Sequence, residues 1–206
     1  MWPRIAVLLA IVGLCLPGTA HGETVKDPMV DFIASEAFLG FARYDQNVRV
    51  FRADVDLNGD GEKVVLLAAN YTQHAGYNWT PYLLGKHGYA VSSLSPRETE
   101  MLAFTEYNTY VGYIREIQHR GIVFFQGRVA DGFEFFAFWV EDGKAKIKRI
   151  GSVKGADTEA PTKSARLFQK YFPDLRALET HPPFTVETMS LDDLRAKGYT
   201  IPKIDR

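Results

Sequence analysis

The chain has 206 residues, 46% hydrophobic and 24% charged, which is an ordinary globular composition with enough length for one domain and its core. The formal net charge of −1 supplies no strong basic field. This argues against nucleic acid or an anionic membrane surface as a partner.

Residues 1–22 are predicted to be a secretory signal peptide and not part of the fold. Arg4 gives a positive start, IAVLLAIVGLCL is apolar but short for a membrane span, and PGTAHG offers small residues for cleavage. The only cysteine, Cys15, lies in this segment, so the mature protein is expected to have no disulfide, no thiol chemistry and no membrane anchor. The expected location is the periplasm or the cell exterior, and residues 23–206 are expected to form one domain.

The next segments predict a helix followed by strands. DPMVDFIASEAFLGFAR has apolar residues at helical spacing, a cap at Asp27 and a proline at the first helical position. NVRVFRADV alternates, and KVVLLAA is continuously apolar, as expected of a half-exposed strand and a buried strand. WTPYLLGKHGYAVSSL predicts a hairpin that turns at Gly85–Gly88.

The second half of the chain predicts a helix, a strand meander and closing helices. SPRETEMLAF places Ser95 and Glu98 as a capping box. YVGYIREI, GIVFFQGRV, FEFFAFWVE and KAKIKRIGSV have strand patterns, and ADG and EDG turns join the last three into an antiparallel meander. TKSARLFQKYF and SLDDLRAKGY predict the closing helices. The expected fold class is therefore α+β: a single domain with one mainly antiparallel sheet flanked by N-terminal and C-terminal helices.

The stretch DVDLNGDGEKVVLLAAN contains a candidate calcium loop. Oxygen-bearing side chains recur at alternate positions, and the glycines between them allow a tight turn that can direct the oxygens at one cation. The expected ligands are Asp54, Asp56, Asn58, Asp60 and Glu62. NGDG is also a tight turn that needs no metal, so a calcium site and a solvated acidic turn both stay open.

The same stretch resembles two kinds of calcium loop. From Asp54 it resembles an EF-hand loop, but Val65 stands where the bidentate glutamate belongs, and strands flank it instead of helices. From Asp56 it resembles the loops of FG-GAP and VCBS-type repeats, which lead straight into an apolar strand, although Val64 replaces the closing carboxylate. The resemblance covers about a dozen residues and implies a weak calcium site, while one loop does not imply a propeller.

Aromatic residues form the second candidate site. YNWTPY carries Tyr77, Trp79 and Tyr82 beside a loop rich in glycine and asparagine, so these rings either bind a partner or belong to the core. FEFFAFWVE is apolar on both faces and is predicted to be a core strand. The lysines of KAKIKRI are predicted to form the solvated face of an edge strand.

No zinc, phosphate-loop, dinucleotide or serine-hydrolase motif is present in the sequence. The expected function is that of a non-enzymatic exported protein, stabilised by calcium if the loop binds it. We expect it to bind a protein, peptide or glycan partner through the surface around Tyr77–Tyr82. The alternatives are a secreted or periplasmic hydrolase with an acidic active site and a periplasmic inhibitor or immunity-type protein.

Overall fold

The fold is described from a computed structural model for residues 27–71, 77–128, 132–154 and 183–204. The expected signal peptide and the predicted helix TKSARLFQKYF lie outside the described residues.

The described strands are antiparallel, as the sequence predicts, but they form two main sheets instead of one. The first sheet consists of β1 (Arg49–Val55), β2 (Val64–Asn70), β4 (Thr80–Gly85), β5 (Gly88–Val91) and β11 (Glu187–Met189), in the spatial order β11-β1-β2-β4-β5. The second sheet is a meander of β7 (Thr109–Ile114), β8 (His119–Arg128), β9 (Gly132–Glu141) and β10 (Lys144–Lys154). A short ribbon pairs β3 (Tyr77–Asn78) with β6 (Ala103–Phe104).

The described part of the chain contains four short α-helices. They are α1 (Pro28–Ile33), α2 (Glu36–Tyr44), α3 (Pro96–Met101) and α4 (Leu191–Ala196). The predicted N-terminal helix is divided because the Ser35 hydroxyl donates to the Phe32 carbonyl at 2.6 Å and Ser35 has extended backbone angles. Among these helices, none is long and apolar enough to cross a membrane.

The helix caps follow the sequence. The Asp27 side chain accepts from the Met29 N–H at 2.9 Å at the start of α1. Ser95 and Glu98 form the predicted capping box of α3. Ser190 forms a second capping box at the start of α4.

The main core lies between the two sheets. Phe51 and Leu66 of the first sheet and Phe124 and Phe138 of the second are all fully buried in one apolar cluster. This contact explains why the strands form two sheets and not the single sheet that the sequence predicted. Each sheet has apolar residues on the face that meets the other, and removing both faces from water is the main stabilising term.

A second cluster covers the other face of the first sheet. Met29 and Phe38 from α1 and α2 and Leu194 from α4 are buried there together with Val50 and Leu67. Residues 64–69 are buried throughout because β2 has apolar neighbours on both faces.

The second sheet confirms two predictions from the sequence: FEFFAFWVE is a core strand, and KAKIKRI belongs to an edge strand. In β9, Phe136 and Phe138 face the core between the sheets, whereas Phe133 and Phe135 belong to a separate buried cluster on the opposite face. β10 is an edge strand of the sheet, and its lysines at positions 144, 146 and 148 are exposed.

Candidate functional site

The aromatic residues of YNWTPY lie in the core and not on the surface. Tyr77, Trp79 and Tyr82 have relative exposures of 5%, 0% and 0%. The Trp79 indole N–H donates to the Phe104 carbonyl at 3.0 Å, and its ring centroid lies 5.2 Å from that of Tyr77. Of the two roles expected for these rings, partner binding and core packing, the structure has them in core packing. They are shielded because β3 and β4 run beneath the second sheet and the helices.

Tyr82 points to the opposite side of its sheet from Trp79. Its ring is fully buried in the cluster under the helices, and its hydroxyl has no hydrogen-bond partner among the described residues. Burial, with a smaller effect of the Asp31 carboxylate, raises the pKa of Tyr82 to about 12. Its ring therefore serves packing, and its hydroxyl stays protonated.

The first aspartate of the acidic loop is paired with an arginine. Asp54 and Arg52 lie on the same face of β1, two residues apart. Arg52 Nε donates to Asp54 Oδ1 at 2.8 Å and Arg52 Nη2 donates to Asp54 Oδ2 at 3.1 Å. The two charges therefore compensate each other in a bidentate pair.

The second aspartate closes the turn through the backbone. Asp56 accepts from the N–H of Gly59 at 2.6 Å and from the N–H of Gly61 at 3.0 Å, and both glycines have positive φ angles, of 75° and 91°. Desolvation pushes the pKa of Asp56 up, but the backbone N–H donors outweigh it, so that the pKa is lowered. Asp56 is therefore ionised at neutral pH.

These residues do not form a calcium coordination shell as they are arranged. Calcium takes about six to eight oxygen ligands at about 2.3–2.6 Å. Asp54 faces Arg52, both oxygens of Asp56 accept backbone N–H groups, and Asp60 accepts from the N–H of Glu62 at 2.9 Å. Asn58 and Glu62 are exposed, and in the described ranges no group of three or more acidic, histidine or cysteine side chains could hold a metal. An ionised carboxylate has about four acceptor sites, so these contacts leave room for a cation, and calcium binding stays a prediction from the sequence.

The acidic loop is anchored on the second sheet. Leu57 is buried to 1% exposure in the core between the sheets, although its neighbours Asn58 and Gly59 are exposed. Arg120 of β8 donates from Nε to the Leu57 carbonyl at 3.3 Å. A buried side chain and a hydrogen bond therefore fix the position of the loop at one end of the sandwich.

A cleft of 430 Å³ opens beside this loop, between the edges of the two sheets. One wall comes from β1 and the start of the loop, and the others from β7 and from the segment 183–187 that leads into β11. The charged lining residues are Arg52, Asp54, Asp56 and Glu187, and the apolar ones include Val55, Val111 and Phe184. The site therefore combines carboxylates with an apolar surface, which is a common composition for a binding pocket.

The charges in the cleft are not balanced. Arg52 compensates Asp54, and the Lys197 ammonium pairs with Glu187. No cation of the described chain pairs with Asp56. The cleft consequently holds one ionised carboxylate with no positive partner.

An exposed tyrosine lies next to the cleft. Tyr113 follows Val111 by two residues on β7, so the two side chains lie on the same face of the strand. Tyr113 is 59% exposed, and its neighbour across the ladder is Arg120, which contacts the acidic loop. The sequence analysis did not identify Val111 and Glu187 as site residues. The only local signal was the exposed aromatic pattern of TYVGYI.

A larger cleft of 620 Å³ lies at the other end of β1 and is mainly polar. Its charged residues are Arg49, Asp192 and Arg195, of which the last two form an ion pair at 2.7 Å. The cleft beside the acidic loop is the stronger candidate because it combines an uncompensated charge with an apolar wall.

The chain matches no family model, no curated protein and no solved structure. Its function is therefore inferred from the site alone.

Proposed function

We propose that the protein is an exported, non-catalytic binding protein. Its site is the cleft between β7 and the segment 183–187, which receives a cationic group of a protein or peptide partner. The observation that carries this proposal is the position of the Asp56 carboxylate, which lines the cleft and has no cationic partner among the described residues. Export rests on the predicted signal peptide.

The walls of the cleft suit the side chain of lysine or arginine. Such a side chain has an apolar stem and a charged head, and Val111 and Phe184 offer apolar contact for the stem. The head can then pair with Asp56, while the exposed ring of Tyr113 supplies a face for a cation–π contact. A peptide or protein is favoured over a glycan because the rings expected to stack on sugars, Tyr77 and Trp79, are buried.

The direction of the carboxyl pKa changes favours a binding protein over a hydrolase. A glycosidase-like acid needs a carboxyl group with a raised pKa. Among the described residues, four carboxyl groups have a lowered pKa, those of Glu36, Asp56, Glu98 and Asp193. They suit ion pairing and helix capping, and none of them suits proton donation at neutral pH.

The proposal is tested with a fluorescein-labelled octapeptide of alternating lysine and valine, titrated with the purified protein and followed by fluorescence anisotropy. Asp56→Asn is expected to weaken binding about tenfold, the value of one hydrogen bond to a charged group. Asp60→Asn is the matched control, because it removes the same charge from the same loop at a residue outside the cleft lining. The same titration with a glutamate–valine peptide is expected to give no binding.

Equal weakening by the two variants would contradict the proposed site, because it would indicate attraction to the whole loop. The absence of any lysine-dependent binding would contradict the proposed function. Thermal unfolding of each variant shows whether a loss of binding comes from loss of the fold.

A further inference from the structure

The edge strands of the two sheets differ in how well they are protected against pairing with another chain. β10 carries exposed lysines at alternate positions and a bulge between Arg149 and Gly151. Such features are the usual protection of a sheet edge. The edge strands β5 and β11 of the first sheet have four and three residues and offer little length for pairing.

β7 has none of these protections. Its sequence TYVGYI contains no charged residue and no proline, and its register with β8 is continuous from Thr109 to Ile114. In the part of the chain that the structure describes, no strand pairs with the other side of β7. Within the described ranges, six residues of extended backbone therefore have no strand on this side.

The open side of β7 borders the cleft. Val111 of β7 lines it on one side, and Thr185 and Glu187 line it on the other. A chain that lies along β7 thus runs through the cleft and passes Asp56. In a strand, every second side chain points to the same face, so one set of side chains would meet Asp56 and Val111.

We infer that the partner binds as an extended segment that pairs with β7 as a fifth strand, with basic side chains at alternate positions directed toward Asp56. Main-chain hydrogen bonds to β7 give such a complex its affinity, and the side chains in the cleft give it specificity. This inference rests on the proposed function and adds the conformation of the partner.

Charge favours a basic segment of another protein over a second copy of this chain. Two copies could also pair edge to edge through β7. The β7 of a second copy, however, has no basic side chain to place against Asp56. A segment with alternating lysines or arginines supplies the missing positive charge.

The test uses two N-methylated isomers of the lysine–valine octapeptide. In a strand, the N–H groups of all lysines point to one side and those of all valines point to the other. One isomer carries N-methyl groups on its lysine amides, and the other carries them on its valine amides. Both keep the same charge and side chains, so they differ only in which edge can donate hydrogen bonds.

Strand pairing with β7 predicts that one isomer binds at least tenfold more weakly than the unmethylated peptide, while the other isomer keeps within about threefold of its affinity. Equal affinity of the two isomers, with binding still dependent on Asp56, would overturn strand pairing and leave the proposed function intact. No binding of the unmethylated peptide would overturn both. A β7-linked dimer in light scattering that the peptide does not dissociate would also overturn the inference.

Discussion

Replacing Trp79 with phenylalanine tests whether the aromatic segment belongs to the core. Trp79 is fully buried, and its indole N–H donates to the Phe104 carbonyl. Phenylalanine keeps a ring at the position but removes this donor and part of the apolar volume. A ligand-binding ring on the surface would tolerate the same change with little effect on stability.

The expected loss follows from the two contacts. The hydrogen bond contributes ~1 kcal/mol net, and the missing apolar atoms with their partial cavity contribute a further ~1–2 kcal/mol. The free energy of unfolding should therefore fall by ~2–3 kcal/mol. In a protein of this length, 1 kcal/mol corresponds to about 2–4 °C, so Tm should fall by about 4–12 °C.

Trp139→Phe is the matched control for this measurement. Trp139 is partly buried, and its enclosed indole N–H has no hydrogen-bond partner in the described part of the chain, so the same substitution removes no hydrogen bond seen there. Thermal unfolding followed by circular dichroism should show a clearly smaller loss for Trp139→Phe than for Trp79→Phe. A change in Tm below about 2 °C for Trp79→Phe, or equal losses in both variants, would refute the core assignment of Trp79.

The buried Tyr82, the partly buried Tyr199 and the acidic loop give the remaining predictions. Tyr82→Phe should leave the free energy of unfolding unchanged or raise it by up to ~1 kcal/mol, because none of the described residues hydrogen-bonds the buried Tyr82 hydroxyl. Tyr199→Phe should lower it by ~1–2 kcal/mol, because the Tyr199 hydroxyl donates to Asp27 at 2.6 Å, and urea unfolding compares the two variants. Burial raises the pKa of both tyrosines to about 12 from 10.0, with added hydrogen bonding to Asp27 in the case of Tyr199. The unfolded chain therefore loses these protons first, and stability should fall between pH 10 and pH 12, whereas a flat profile would contradict the raised pKa of both groups. Calcium binding by the acidic loop predicts a Tm in millimolar calcium above that in EDTA, and Asp56→Ala with Asp60→Ala should abolish the rise, whereas an unchanged Tm would contradict the calcium site.

Local features of the fold could be predicted from the sequence. The capping box of Ser95 and Glu98, the hairpin turn at Gly85–Gly88 and the buried strand β2 all stand where the sequence placed them. Each depends on hydrogen bonds or periodicity among residues within a few positions of one another. The sequence also identified the acidic loop as the region with the most chemistry, and the proposed cleft adjoins it.

The local sequence pattern could not decide whether the aromatic segment YNWTPY binds a partner or belongs to the core. Whether Trp79 faces a partner or a core depends on what covers β3 and β4, and the second sheet that covers this region is formed by residues far along the chain. The burial of both faces of β9 was predictable from its phenylalanines, but the identity of the layer against each face was not.

By itself, the sequence determined the antiparallel α+β class, the turns, the helix caps and the acidic character of the loop. Only the tertiary structure decided that two sheets pack face to face, that Trp79 is core, and that Asp56 meets Val111 and Glu187 across one cleft. The physical reason is that turns and caps are fixed by short-range hydrogen bonds. A cleft instead depends on which distant apolar faces are buried together, and many pairings of such faces satisfy the same local pattern.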